Sequence, residues 1–401
     1  MRYLFGAVGT AGLLGPMIAV AQVLQKRGHA VAFVTSAAME PLLSRNQLAR
    51  IPRGTVDGPS FEADVIGHPL ETARQVRHIE YGVQSFRPDV LVGQPTALGP
   101  LIAGRRFSLP VAMLGPAAYL WPDGQRGWGE PPSTPFPQFG ELVRVRYQEM
   151  VAAYEGTAQI YGLPPGPAGQ NPLLGDLCLV QSVPELEGSP EGLPDQVHLV
   201  GGCLCEDRAT NPGLDAWLQD AHRSGQPVLY LCLGRFFGAP DLWRDLVQGL
   251  ADLPIRVAGS VGRTDTVIEE VPAHWLVLDH LPQGAVLPHA AAVLSGGTTT
   301  SVVGALQHGL PLLLTPGRGG EHQDLTLRCL HAGVALDLPA LTASPAEIRR
   351  GALKVLESGT LRANAQRLQQ AFARAGGPTR AADLLEELGR SRRPVLRATV
   401  Q

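Results

Sequence analysis

The sequence predicts an α/β protein made of two doubly wound, Rossmann-like domains. Three observations carry that reading. Short apolar runs of strand length alternate with helix-length stretches along most of the 401 residues. The alternation lapses between Gly201 and Gly213 and then restarts. Each series opens with a strand that stops at glycine: Tyr3–Phe5 before Gly6, and the VLYLCL run before Gly234.

The first series reads as strand (Tyr3–Phe5), Gly-rich turn (Gly6–Gly15), helix (Pro16–Arg27), a stop at Gly28 and strand (Ala30–Thr35). A strand–helix–strand unit of this length implies right-handed parallel pairing. Asp89–Val92, Pro110–Leu114, Leu177–Gln181 and Val197–Gly201 read as further strands, with helices over Leu70–Phe86 and Phe139–Tyr154. Between Tyr119 and Phe139 the chain is rich in Pro, Gly and aromatics, the make-up of a binding loop or lid. The second series runs through strands at Ile255–Ser260 and Trp275–Leu281 and closes with helices over Pro345–Glu357, Leu361–Arg374 and Pro378–Leu388. Domains of 1–205 and 206–401 follow, with no short-period repeat.

Composition narrows the function. Hydrophobic residues make up 44% of the chain, enough for two cores, and charged residues only 17%, with a net charge of −3. That balance argues against a nucleic-acid partner, which calls for a basic face. No apolar run reaches the roughly 18 residues of a membrane span, and the N-terminus passes straight into a structural turn rather than a leader. The cysteines (178, 203, 205, 232 and 329) form no zinc pattern, so no metal is expected, and they read as core thiols of a reduced cytoplasmic protein.

The stretch from Ala292 to Val334 carries the chemistry. An apolar strand ends at Ser295-Gly296-Gly297, and four hydroxyl residues, Thr298, Thr299, Thr300 and Ser301, stand where a helix begins. Gly309 ends that helix, Leu310–Thr315 is a buried strand, and a polar loop follows Pro316. A helix N-terminus after such a turn presents backbone N–H groups and the positive end of a dipole, both suited to a diphosphate. The plain alternative is an ordinary strand–turn–helix with a threonine cap.

The same stretch resembles the donor-site signature of the UDP-glycosyltransferase-like superfamily of nucleotide-sugar glycosyltransferases, which has the GT-B fold. The family pattern is His-Gly-Gly-x-Gly-Thr, a short helix with Ala-Leu, Gly-x-Pro, a strand, Pro, an acidic residue with Gln, and Gly. Ser301, Ala305, Leu306, Gly309, Pro311, Pro316, Glu321 and Gly333 fall in register, and His280-Leu-Pro-Gln283 matches the aromatic-x-Pro-Gln element upstream. Near the N-terminus, Gly9, Gly12, Pro16, Arg27, Gly28, His29 and Val31 match the family's first loop and the turn after its helix. A dinucleotide fingerprint is the rival reading of those glycines. The absence of a Tyr-x-x-x-Lys pair, and of a charged ribose reader at Thr35-Ser36, counts against it.

The resemblance implies two domains facing a cleft, with the last helix after about 378 returning to the N-terminal domain. It implies an inverting transfer from a UDP- or TDP-sugar to a hydrophobic small molecule, in the manner of bacterial natural-product enzymes, with the nucleotide-sugar as substrate and no cofactor. Donor contacts would come from Gly12, Gly234, Arg235, His280, Gln283, Gly296, Gly297, Thr298–Ser301, Glu321 and His322. Trp121, Trp128 and Phe136 would line the acceptor site. Arg235 reads equally as a solvated strand-end residue, and His322 as an exposed loop histidine. Monomer and homodimer both stay open.

The departures matter as much. Where the family carries the His or Asp that deprotonates the acceptor hydroxyl, this chain has Leu13, which takes no proton. The strand that usually supplies its partner Asp ends Val92-Gly93-Gln94. The family's diphosphate-contacting His becomes Gly296. Asp123 or Glu130 stands as a substitute base, or as a solvated loop charge. A catalytically silent homologue that binds nucleotide or a partner enzyme, and a sugar-nucleotide epimerase on the same fold, are the alternatives.

Overall fold

The computed structural model describes residues 1–62, 68–118, 120, 136, 138–166, 169–188, 193–234, 240–261, 271–317, 319–339 and 342–397. Trp121, Asp123, Trp128, Glu130 and Arg235 lie outside the described residues.

The chain forms two compact units, one of Met1–Pro132, Gly140–Cys205 and Ala375–Gln401, the other built on Glu206–Arg374. The first unit contains β1 (Arg2–Gly6), α1 (Ala11–Lys26), β2 (Ala30–Val34), α2 (Glu40–Arg45), β3 (Ala49–Arg50), α3 (Pro69–Phe86), β4 (Val90–Gly93), α4 (Gly99–Phe107), β5 (Val111–Gly115), α5 (Phe139–Ile160), β6 (Leu177–Val180), α6 (Pro184–Glu187) and β7 (Val197–Leu199). Its strands are ordered β3-β2-β1-β4-β5-β6-β7 and all pairs are parallel.

The second unit contains α7 (Pro212–Ser224), β8 (Val228–Cys232), α8 (Pro240–Leu250), β9 (Arg256–Ser260), β10 (Leu276–Leu278), α9 (Gln283–Val286), β11 (Ala292–Ser295), α10 (Thr299–Gln307), β12 (Leu312–Leu314), α11 (Gly320–His331), β13 (Ala335–Asp337), α12 (Pro345–Glu357) and α13 (Gly359–Ala375). Its order is β10-β9-β8-β11-β12-β13, again parallel throughout. The final helix, α14 (Gly377–Ser391), is part of the first unit. Both sheets are doubly wound, as the sequence predicts. In such sheets the order reverses at one place, here between β1 and β4 and between β8 and β11. The crevice outside the strands' carboxyl ends at that place is where ligands bind.

Local sequence explains the elements that matter. The fully buried strands β4, β5, β6 and β11 carry no alternation, because helices cover both faces of a parallel sheet. The first turn is shorter than the glycines suggest. α1 begins at Ala11, not at Pro16, because Thr10 takes an extended conformation and its Oγ1 accepts from the Leu13 N–H at 3.4 Å. Pro16 then sits inside α1, where it removes only the bond to the Gly12 carbonyl.

α14 docks on α1. Ala381, Ala382, Leu384, Leu385 and Leu388 are buried in one cluster with Leu14, Met17, Ile18, Val20, Ala21 and Leu24. At the rim Arg27 Nη1 meets Asp383 Oδ1 at 2.8 Å and Glu386 Oε1 at 3.2 Å, and His29 Nε2 lies 2.9 Å from the same Glu386 oxygen. His29 therefore has a structural role at the helix-to-strand turn. No helix among the described residues is long and apolar enough to cross a membrane.

Candidate functional site

In the second unit the turn after β11 leads straight into α10 at the switch point of its sheet. Gly297 adopts φ +81°, open to glycine but rarely to other residues, and a Cβ there would come within 3.1 Å of the His322 carbonyl oxygen. Gly234, at the end of β8, adopts φ +83°, and a Cβ on it would come within 2.9 Å of Thr298 Cγ2. Two glycines thus let the β8 turn, the β11 turn and α11 converge on the start of α10.

The hydroxyl residues divide into two kinds. Ser295 and Ser301 are buried, with their oxygens 2.6 Å apart. Ser295 Oγ also accepts from the Gly297 N–H at 3.0 Å, and Ser301 Oγ lies 2.7 Å from Thr298 Oγ1. These three side chains brace the turn from beneath. Thr298, the N-cap residue, makes no side-chain cap bond, because its hydroxyl is engaged with Ser301. Thr299 and Thr300 are half-buried, and Thr299 Oγ1 donates to Glu321 Oε1.

Glu321 and His322 lie on the first turn of α11, which starts at Gly320, so the polar loop is shorter than the sequence suggests. His322 is not an exposed loop residue. It is half-buried, and desolvation outweighs the charge of Glu321 to lower its pKa, so it favours the neutral form. Gln283, the first residue of α9, reaches the same helix, its Nε2 donating to the Thr300 carbonyl at 3.2 Å. A Cβ on Gly304 would fall 2.0 Å from that Nε2. His280 is exposed, with Nε2 3.5 Å from Asp207 Oδ2. The structure thus gathers Gly234, Gln283, Gly296, Gly297, Thr298, Thr299, Thr300, Ser301, Glu321 and His322 around one helix start. His280 stands near Asp207 instead.

In the first unit the loop after β1 lies at the corresponding switch point. Leu13 occupies the first turn of α1, half-buried against the cluster that includes Val8, Phe61 and Leu98, and Gly12 is exposed beside it. Gln94, just past β4, is buried. Its Oε1 accepts from the Val8 N–H at 2.9 Å and its Nε2 donates to the Leu13 carbonyl. Sequence reasoning registered Gln94 only as a missing carboxylate. Its bond to the loop backbone is a tertiary feature that no spacing announces.

A second strut in this loop also escaped the sequence. Gly9 N–H donates to the Phe61 carbonyl at 2.7 Å, and a Cβ on Gly9 would come within 2.5 Å of Ser36 Cβ. Phe61 is buried at φ +59°, a conformation that costs a non-glycine residue roughly 1–2 kcal/mol. Buried Glu71 holds it there: its Oε1 accepts from the N–H groups of Phe61 and Glu62. Desolvation pushes the Glu71 pKa up, partly offset by those two bonds. Beside it, buried His78 bonds Ser60 Oγ at 2.6 Å through Nδ1 and the Ile51 carbonyl at 2.7 Å through Nε2. The carbonyl requires a proton on Nε2, so Nδ1 accepts from Ser60. Burial lowers the His78 pKa to about 4. Of the aromatic loop, Phe136 is described and half-buried, and its carbonyl accepts from the Phe139 N–H at 3.0 Å.

Known proteins with this arrangement are numerous. Residues 3–113 match the glycosyltransferase family 28 N-terminal domain. Residues 255–388 match the C-terminal domain of the erythromycin biosynthesis protein CIII-like family. The chain is 26% identical to 4'-demethylrebeccamycin synthase of Lentzea aerocolonigenes, over 96% of this chain and 99% of that one. It is 27% identical to demethyllactenocin mycarosyltransferase of Streptomyces fradiae, over 96% of this chain and 86% of that one. The crystal structure of the calicheamicin glycosyltransferase CalG4 superposes with a TM-score of 0.75 at 23% identity, covering 97% of this chain and 98% of that one. The two doubly wound sheets and these matches place the chain among the GT-B-fold glycosyltransferases, as a relative of the bacterial natural-product enzymes.

Proposed function

We propose that the chain transfers a sugar from a nucleoside-diphosphate donor to a hydroxyl of a hydrophobic small molecule, with inversion at the anomeric carbon. The observation that carries this reading is the start of α10, where two positive-φ glycines, Gly234 and Gly297, bring three segments together at a sheet switch point. The backbone N–H groups there and the helix dipole suit a diphosphate, and they stabilise it further as it leaves. Gln283 would reach base or ribose. Glu321, already accepting from Thr299, would exchange that bond for a sugar hydroxyl. The acceptor would take Trp121, Trp128 and Phe136 as apolar contacts. The names of the relatives, a mycarosyltransferase among them, favour the same substrate classes. The five cysteines form no disulfide, which suits a reducing cytoplasm.

The test is calorimetry with UDP and TDP on the wild type and on Gly297→Val. Binding by the wild type and its loss in a folded variant support the site. Equal affinity in both sinks it. Proton NMR of the glycoside then reads the anomeric configuration, and retention excludes a single displacement.

A second reading is a catalytically silent homologue. It is favoured by the apolar Leu13, packed where the family keeps its base, and by Gln94, whose amide is spent on the loop backbone. Nucleotide binding without product in any donor and acceptor combination would decide for it.

A further inference from the structure

The segment Ser60–Glu62 crosses the carboxyl ends of β1 and β2. The Phe61 carbonyl accepts from the Gly9 N–H at 2.7 Å, which ties the segment to the loop that leads into the Leu13 turn. One residue on, Glu62 accepts at Oε1 from Ser36 Oγ at 3.0 Å. Ser36 follows β2 and packs so closely on Gly9 that no side chain fits between them. Glu62 is thus a half-buried carboxylate, anchored beside the β1 turn by a hydroxyl and through its own backbone N–H by Glu71 at 3.3 Å. The strained Phe61 is consistent with this: left-handed backbone at a buried phenylalanine persists where surrounding bonds fix it, and such residues gather at functional sites.

We propose that Glu62 is the general base of this chain, replacing the side chain that Leu13 lacks. The assignment rests on the transferase reading above. In the step, an oxygen lone pair of the acceptor hydroxyl forms the bond to the anomeric carbon. The bond from that carbon to the diphosphate oxygen breaks, and its electron pair leaves with the nucleoside diphosphate. The hydroxyl proton passes to the Glu62 carboxylate. Glu71 is a positioning residue, since it holds the backbone of Phe61 and Glu62 and faces the core.

The assignment explains why the chain tolerates leucine at position 13. A carboxylate reaching the acceptor from the β3–α3 connection makes a base on α1 redundant. Leu13 is then free to serve as apolar wall for a hydrophobic acceptor, while its packing on the core cluster keeps the turn in place.

The experiment measures transfer from UDP-glucose and TDP-glucose, above pH 8, to benzyl alcohol and to para-nitrophenol, an acidic acceptor that is largely ionised there. Glu62→Gln keeps the size of the side chain and a group that can bond Ser36. It is expected to lower kcat on the alcohol by about 10²–10⁴-fold. The donor KM should stay within about threefold, and the phenol, which needs no base, should lose far less. Leu13→His in the Glu62→Gln background should recover at least about tenfold on the alcohol. Ser36→Ala, which leaves the carboxylate but removes its anchor, provides the second variant, with a drop in kcat at unchanged donor KM. Wild-type transfer that survives Glu62→Gln within about threefold on both acceptors overturns the assignment alone. Nucleotide binding without wild-type transfer in any donor and acceptor combination overturns the transferase reading and the assignment with it.

Discussion

Gln94 fixes Leu13 by its backbone and leaves its side chain to the core. One amide side chain spans the loop, taking the Val8 N–H at one end and giving a proton to the Leu13 carbonyl at the other. The residue at the end of the strand that, by resemblance, would supply the partner carboxylate is a structural clamp.

Removing the clamp has a cost that can be bounded. Gln94→Ala leaves the Val8 N–H and the Leu13 carbonyl without their partner, and an unsatisfied buried group costs about 1–3 kcal/mol. The urea midpoint of the first unit should fall accordingly. Gln94→Glu keeps the Val8 bond but sets a carboxylate against a carbonyl, so it should destabilise at least as much above pH 6. An unchanged midpoint in both variants would mean that water replaces the amide.

His78 makes stability depend on pH. Its folded pKa is about 4 against an ordinary 6.5, with desolvation as the main cause. Below 6.5 the unfolded chain therefore binds a proton that the folded chain refuses. The contribution of the buried neutral ring is complete above pH 6.5 and is lost as pH falls toward 4. A shift of this size corresponds to about 3 kcal/mol over that window. Denaturant melts from pH 7 to 4 should show the fall, and His78→Gln should flatten it. A slope that is the same in the variant would assign the pH dependence to other groups, such as His198 and His322, whose pKa values are also lowered by burial.

Gly304 tests the contact between α9 and α10. Gly304→Ala puts a methyl 2.0 Å from Gln283 Nε2, so the Gln283 side chain must leave the Thr300 carbonyl. Helix propensity gains about 0.5–1 kcal/mol, which supports the fold. Nucleotide affinity by calorimetry should fall about tenfold, or about 1.4 kcal/mol. The double variant with Gln283→Ala should be no weaker than Gln283→Ala alone. Additive losses would show that Gly304 acts by another route.

The docking of α14 is apolar before it is ionic. Leu385 is fully buried, and Leu385→Ala should cost about 2–5 kcal/mol. Arg27 and Asp383 are 29% and 47% exposed, and an exposed pair of this kind contributes about 0.2–1 kcal/mol. Arg27→Ala should therefore lower the thermal midpoint far less than Leu385→Ala. The reverse order would make the rim, not the cluster, the anchor.

The sheets were legible because parallel strands leave continuous apolar runs such as DVLV and PVAML, and because each series opens on a glycine-ended strand. The start of α10 was legible for the same reason: Gly296-Gly297 followed by four hydroxyls is a local pattern. Other features escaped. β3 is only the pair Ala49–Arg50, too short for any periodicity to show. α1 outran Pro16, because a cap at Thr10 outweighs one proline inside the helix. Glu321 and His322 looked like loop residues until α11 was seen to begin at Gly320. Gln94, Glu62, Glu71 and Phe61 act through contacts between residues far apart in sequence. No periodicity records a bond from position 71 to position 61 or a glycine pressed on Ser36.

The route of the chain has a consequence for its synthesis. The second unit is built mainly on one stretch, Glu206–Arg374, whereas the first draws α14 from beyond that stretch. A ribosome delivers α1 early and the helix that covers it last. Until then Met17, Ile18, Val20 and Leu24 lack part of the cover they have in the finished molecule. The unit made first is completed last, after the whole of the second has emerged. A nascent chain of this protein thus exposes an apolar helix face for most of its translation, the condition in which chaperone binding or misassembly competes with folding.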